Sequence, residues 1–153
     1  MAFLVVRMRG TVNVPFWALT TLKNLYLNKK FSATVVPETS DYLGMSRKIN
    51  QWVAWSKADS DIVKTLIEKR GKKITQLDSQ KESKSKDEYK GIDELVNVIV
   101  NDKIKFSDQN SIKPWFSLNP PKGGFKRKSK KQFSDGGILG NNKNLLEIVK
   151  RMV

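Results

Sequence analysis

The sequence contains neither cysteine nor histidine. The first absence excludes disulfides, thiol catalysis and cysteine-ligated zinc, and is compatible with a reducing compartment. The second removes the side chain most used for proton transfer near neutral pH and the commonest metal ligand. Catalysis would have to run on carboxylates, lysine, tyrosine or hydroxyls. Long apolar runs are missing as well. Met1-Ala-Phe-Leu-Val-Val reaches Arg7 after too few apolar residues for a signal peptide, with no small-residue cleavage pattern behind it. The longest uncharged stretch, Gly10 to Leu22, contains Asn13, Pro15 and three threonines, short of the roughly 20 apolar residues of a spanning helix. The expectation is a soluble protein that is not secreted.

Acid is the remaining shortage. Against 29 Lys+Arg stand 15 Asp+Glu, a formal net charge of +14. Self-repulsion of that size tends to destabilise a compact state unless something anionic offsets it. Nucleic acid, an anionic surface or an acidic protein would serve. An apolar content of 39% argues against a purely disordered polycation. At 153 residues the chain reads as a single domain, residues 1–153, able to bury roughly 70% of its unfolded surface.

Phe3 to Arg9 fits a first strand, broken by Gly10. Asn13-Val14-Pro15 starts a helix in which Phe16, Leu19, Thr20, Leu22, Leu25 and Leu27 carry helical spacings, with Asn28-Lys29-Lys30 as its cationic end. Phe31 to Val36 is a β-branched second strand stopped by Pro37, completing a β-α-β unit. After a loop from Glu38 to Gly44, the spacing of Ile49, Trp52 and Val53 predicts a helix over Met45 to Trp55. Arg47 and Lys48 then fall in its first turn, where the helix dipole disfavours cations, which points to an outside anion. Asp59-Ser60-Asp61 caps a third helix with Val63, Leu66 and Ile67 inward and Gly71 at its end.

A short strand over Lys73 to Leu77 closes a core unit of residues 1–77, and the charged segment Asp78 to Lys90 reads as a mobile loop. The remainder, residues 91–153, carries a helix over Ile92 to Ile104, a short strand over Trp115 to Leu118, a basic glycine-containing loop and an amphipathic helix over Asn141 to Val153.

Three constellations are candidate anion contacts. From Lys122 to Lys131 there are six cations and no acid: Lys122, Lys126, Arg127, Lys128, Lys130 and Lys131, interrupted by Gly123, Gly124 and Phe125. Glycines let a backbone approach a phosphate and expose amides to it, and Phe125 and Phe133 flank the run as stacking faces. Folded RNA, with phosphates and 2′-hydroxyls in irregular grooves, suits such a segment better than regular duplex does. The second constellation is Arg7, Arg9 and Gly10 at a strand end, where planar guanidiniums match phosphate geometry. The third is Arg47 with Lys48. Arg7 with Arg9, and Arg47 with Lys48, each read equally well alone as solvated surface, the glycine-broken segment less so; the coincidence of all three carries the RNA reading. The four tryptophans, Trp17, Trp52, Trp55 and Trp115, have apolar neighbours and read mostly as core. Asp59 with Asp61, in a cap, and Asp87 with Glu88, in the charged loop, make neither an acid-base pair nor a metal site. No cofactor, small-molecule substrate or catalytic residue is expected.

The order of motifs resembles the archaeal and eukaryotic branch of the large-subunit ribosomal protein family numbered thirty, called L-seven in eukaryotes. The resemblance runs through Arg7-Met-Arg-Gly10, Thr21-Leu-Lys-Asn-Leu25, Gly44-Met45 at the opening of the second helix, and Ile67-Glu-Lys-Arg-Gly71. It continues in Gly91-Ile-Asp-Glu-Leu95, Phe116-Ser-Leu-Asn-Pro-Pro-Lys-Gly-Gly-Phe125 and Gly136-Gly-Ile-Leu-Gly140. It implies an α+β fold: a small β-α-β-α-β core, similar to a ferredoxin-like sandwich with sheet order 3-1-2, with additional helices. It also implies binding to 23S ribosomal RNA with 5S as a candidate neighbour, other ribosomal proteins alongside, a cytoplasmic place in the ribosome with no membrane partner, and no catalysis. The long basic amino-terminal extension of eukaryotic members is missing, so the chain looks more like an archaeal member. Ser56 stands where many relatives have glycine.

Two other readings compete with this one. Gly10-Thr-Val-Asn-Val-Pro-Phe16 faintly echoes the phosphate loop of acylphosphatases but lacks the extra glycine and the arginine at the helix entry. A free-standing RNA- or DNA-binding architectural protein is the alternative from composition alone.

Overall fold

Residues Ala2–Arg7 form strand β1, and all six are buried. Alternate side chains of a strand point to opposite faces, so a strand apolar at nearly every position needs cover on both sides. Here Ala2, Leu4, Val6 and Met8 enter one core, while Phe3 and Val5 enter another. The computed structural model, which describes residues 2–71, 92–100 and 113–153, places this strand inside a six-stranded sheet.

In chain order the remaining elements are α1 Phe16–Asn24, β2 Ser32–Pro37, α2 Ser40–Lys48, β3 Val53–Lys57, α3 Ser60–Arg70 and α4 Ile92–Val100. Then follow β4 Phe116–Ser117, β5 Lys128–Gln132, β6 Gly137–Asn141 and α5 Leu145–Lys150. The strand order is β4-β2-β1-β3-β6-β5. β1 is antiparallel to both neighbours, with Val5 opposite Thr34 of β2 and Trp55 of β3. β4 extends the β2 side, β6 runs parallel to β3, and β5 meets β6 in an irregular register.

One face of the sheet is covered by Ala18 and Leu22 of α1 with Leu25 and Leu27 beyond it, and by Ile49 and Trp52 after α2. The other is covered by Ile62, Val63, Leu66 and Ile67 of α3, Val96 and Ile99 of α4, and Leu145, Ile148 and Val149 of α5. Fully buried leucines such as Leu4, Leu22 and Leu66 each contribute about 1.5–3 kcal/mol by leaving water. The expected α+β class is present, and the sheet is wider than the expected small core: β4 lies beyond β2, and β6 and β5 lie beyond β3.

Several local expectations are corrected. The helix expected over Met45 to Trp55 is two elements. α2 already ends at Lys48, and Trp52 N donates to Ile49 O in the turn that leads into β3. The spacing of Ile49, Trp52 and Val53 is helical by coincidence, because a turn and then a strand point these residues into the same core. Gly44-Met45 therefore lies inside α2 and does not open it. Arg47 and Lys48 occupy the last turn, where the carbonyl end of the dipole favours cations, so no outside anion is required there. Ser56 sits in β3 opposite Leu4, in an extended strand that needs no glycine.

The inward face of α1 is Ala18, Thr21 and Leu22; Phe16 and Thr20 are exposed. Asp59 stands at the start of α3, but its carboxylate makes no capping hydrogen bond. Lys128–Gln132, expected in a loop, is strand β5; Gly137–Asn141, where the glycines suggest loop and Asn141 is expected to open the last helix, is the mostly buried strand β6. The last helix spans only Leu145–Lys150. The strand expected over Lys73 to Leu77, the loop over Asp78 to Lys90 and the end of the helix expected to reach Ile104 lie outside the described residues.

Candidate nucleic-acid interface

Arg7 ends β1 and is 1% exposed. Its Nε donates to Arg9 O at 2.9 Å, Nη1 to Leu27 O at 2.8 Å and Asn28 O at 2.9 Å, and Nη2 to Gly10 O at 3.0 Å. Burial pushes its pKa below the ordinary arginine value. Four charge-assisted hydrogen bonds offset that desolvation. The expectation that Arg7 offers its planar fork to a phosphate is corrected: the fork is used internally. It ties the end of β1 and the following turn to the chain that leaves α1.

The turn held by Arg7 is where cations gather. Met8 N and Arg9 N both donate to Trp52 O, and Arg9 Nη1 reaches Gln51 O at 3.3 Å, so Arg9 is half-exposed with its backbone docked. Phe31 N donates to Arg7 O, and the Lys30 ammonium lies 4.7 Å from the Phe31 ring centroid. On the far side comes β5. Arg9, Gly10, Val12 and Lys30 line one open cleft with Ser129 and Lys130, and none of the described lining residues is acidic. Three segments far apart in sequence thus bring three cations to one place. Arg9, Gly10 and Lys130 were expected as site residues. Lys30, read only as a helix-end cation, was missed, although the Lys29-Lys30 pair after α1 was a usable signal.

The basic segment does not act as one unit. The turn Lys122-Gly123-Gly124 is exposed, and Arg151 Nη1 holds it through Lys122 O at 3.3 Å and Gly124 O at 3.1 Å. Gly124 N donates to Pro121 O, so that amide is not free for a phosphate. Phe125 is half-buried, packed at 6.2 Å from Phe31, and is no open stacking face. Lys126 and Arg127 line a second groove with Arg151, Asn142 and Glu147, and the Arg127 guanidinium lies 4.9 Å from the Phe133 ring centroid. Lys128, Lys130 and Lys131 stand exposed on β5. What fixes β5 there is Gly137, whose Cα comes so near the Lys131 backbone that a Cβ would collide with the Lys131 carbonyl. Gln132 Nε2 donates to Asn50 O at 3.2 Å from the same strand.

Arg47 and Lys48 are exposed at the end of α2. The Lys48 ammonium lies 5.6 Å from the Trp17 ring centroid, and Trp17 meets Trp52 edge to face at 5.9 Å. Because Trp52 O also accepts the Met8 and Arg9 amides, this third patch adjoins the cationic cleft through one residue. Trp52 and Trp55 are buried, as expected of core tryptophans, whereas Trp17 is 46% exposed.

Chemically, the arrangement is a cationic cleft with no acid among its described lining residues, further cations on either side and exposed glycines at Gly10 and Gly123, which suits the phosphates of a polyanion. Among the described residues no group of three or more His, Cys, Asp or Glu could hold a metal ion, and no helix is long and apolar enough to cross a membrane.

Comparison with known proteins agrees with the motif order. Residues 3–53 match the family model described as ribosomal protein L30p/L7e. The large ribosomal subunit protein uL30 of Cenarchaeum symbiosum (strain A) is 40% identical over 157 aligned residues, covering 99% of this chain and 98% of the relative. That of Nitrosopumilus maritimus (strain SCM1) is 37% identical over 152, with 99% and 98% coverage. The uL30 of Staphylothermus marinus (strain ATCC 43588 / DSM 3639 / JCM 9404 / F1) is 37% identical over 158, again with 99% and 98% coverage. These similarities extend well past the segment that the family model matches, through β4, β5, β6 and α5, and the chain belongs to the uL30 family of large ribosomal subunit proteins.

Proposed function

We propose that this chain is a structural constituent of the large ribosomal subunit, a single domain that binds and stabilises folded ribosomal RNA and performs no catalysis. The observation that carries the reading is the cleft in which Arg9, Lys30 and Lys130 converge without an acid among its described lining residues. Arg9, Gly10, Lys30 and Lys130 are its centre. Arg47 and Lys48 extend it on the α2 side. Lys122, Gly123, Gly124, Phe125, Lys126, Arg127, Lys128 and Lys131 extend it along the basic segment, with Gly124 and Phe125 shaping the backbone. Arg7 positions the cleft from beneath. The RNA is that of the large subunit, 23S with 5S as a candidate neighbour; other ribosomal proteins adjoin it, and the protein resides in the cytoplasm within the ribosome.

The test compares a structured fragment of large-subunit RNA with duplex DNA of similar length at matched salt. Tighter RNA binding is expected. About five phosphate contacts give a slope of log K against log salt near −4. Equal affinity for the two would favour a free-standing architectural protein and contradict the proposal.

A further inference from the structure

α1 begins with two aromatic residues, Phe16 and Trp17, and the structure leaves both in solvent: Phe16 is 84% exposed and Trp17 46%, with Val12 in the preceding loop at 83%. Isolated exposed apolar side chains are ordinary, but three of the four large exposed hydrophobics of the described residues within six positions of each other are not. The surroundings say what they face. The first 37 residues of the chain contain no Asp or Glu. Val12 lines the cationic cleft with Arg9 and Lys30, and the Lys48 ammonium stands beside the Trp17 ring. The Trp17 ring is held by its edge-to-face contact with buried Trp52. Adjacent helical positions point about 100° apart, so the two rings are separate platforms and not one plane.

We propose that Phe16 and Trp17 are stacking platforms for unpaired nucleobases of the RNA whose phosphates the neighbouring cations hold. This rests on the RNA-binding reading above and adds to it which RNA feature is recognised: a bulge or loop whose bases are free to leave the helix. A nucleotide brings a flat aromatic face and a negative charge together, and this surface offers an exposed ring beside a cation at Trp17 with Lys48. A paired stem presents its bases edge-on and gives an aromatic nothing to stack on. Stacking is tolerant of base identity, so discrimination here is between unpaired and paired, not among bases.

The test uses the full chain and two fluorescently labelled RNA hairpins that share one stem, each closed by a hexaethylene glycol linker in place of loop nucleotides, the first with a bulge of unpaired adenosines and the second fully paired. Wild type is expected to prefer the bulged hairpin by about 5- to 150-fold, the range of a single stacked base. Phe16→Ser and Trp17→Ala each remove much of that preference and leave the salt slope unchanged. Trp17→Phe keeps the preference and removes a large part of the tryptophan quenching seen on binding. Phe16 touches so little of the core that Phe16→Ser remains informative if Trp17→Ala fails to fold. Equal affinity for both hairpins, unaffected by Phe16→Ser and with the steep salt slope intact, overturns the stacking proposal while the RNA-binding reading stands, and assigns this face to a protein neighbour. No binding of either hairpin overturns both.

Discussion

Arg7 Nη1 lies 2.8 Å from the carbonyl oxygen of Leu27, a bond between the end of the central strand and the chain leaving α1, 20 residues on. Three further carbonyls, those of Arg9, Gly10 and Asn28, accept from the same guanidinium. Removing it strands four acceptors, two of them next to the cationic cleft. Arg7→Ala is expected to cost about 3 kcal/mol or more. Arg7→Lys retains the charge but cannot reach four carbonyls from one nitrogen, and should cost about 1–2 kcal/mol. Urea unfolding midpoints measure both. A cost below about 1 kcal/mol for Arg7→Ala would show that the carbonyls find water instead.

Arg9, Lys30 and Lys130 are partly or fully exposed and reach the same cleft from three segments. Neutralising each with glutamine should change stability by no more than about 0.5 kcal/mol, since none supports the core. Each should instead make the salt slope of RNA binding shallower by roughly 0.7–0.9. Binding isotherms at four salt concentrations measure the slope. An unchanged slope for all three variants would remove the cleft from the interface.

Lys126, Arg127 and Lys128 lie along the basic segment, and the first two open on a different groove from the cleft. Changing all three to Glu should lower RNA affinity and flatten the slope while the melting temperature shifts little, because the three side chains are exposed. A large drop in melting temperature, read by circular dichroism, would show that the Arg127–Phe133 contact supports the fold.

β5 is held to the sheet through two glycines of β6. Gly137 has no room for a Cβ against Lys131, and Gly140 has φ +81° with the side chains of Asn50 and Gln132 each 2.6 Å from where a Cβ would sit. Alanine at either position should push β5 away from β6 and lower RNA affinity. Gly140→Ala carries an added backbone cost of about 1 kcal/mol for the left-handed conformation. Hydrogen exchange at Lys128–Gln132 reports the detachment directly, and unchanged protection in both variants would contradict the packing described for β6.

Much of this architecture could be read from residue order, and the failures share a cause. β1 and α3 were legible because a strong apolar pattern coincided with a matching local signal: Gly10 after the strand, Gly71 after the helix. α1 was found but rotated, since its inward residues Ala18 and Thr21 are weakly apolar while the conspicuous rings of Phe16 and Trp17 face out. β6 hid behind Gly137 and Gly140, residues usually read as loop, which are present because neighbouring chain comes too close for a side chain. Arg9, Gly10 and Lys130 were legible as cations and glycine in suggestive places. That Arg7 turns inward was not, because its acceptors are all backbone carbonyls, two of them 20 and 21 residues away, and carbonyls carry no sequence signature.

Residence in the large ribosomal subunit is measured by sedimentation of an extract from the cells that make this protein, with the chain followed by immunoblot across the gradient. The chain is expected to travel with the large ribosomal subunit at low salt and to be released as salt rises, as contacts dominated by lysine and arginine require. A chain that stays at the top of the gradient at low salt, while other large-subunit proteins migrate normally, would contradict it.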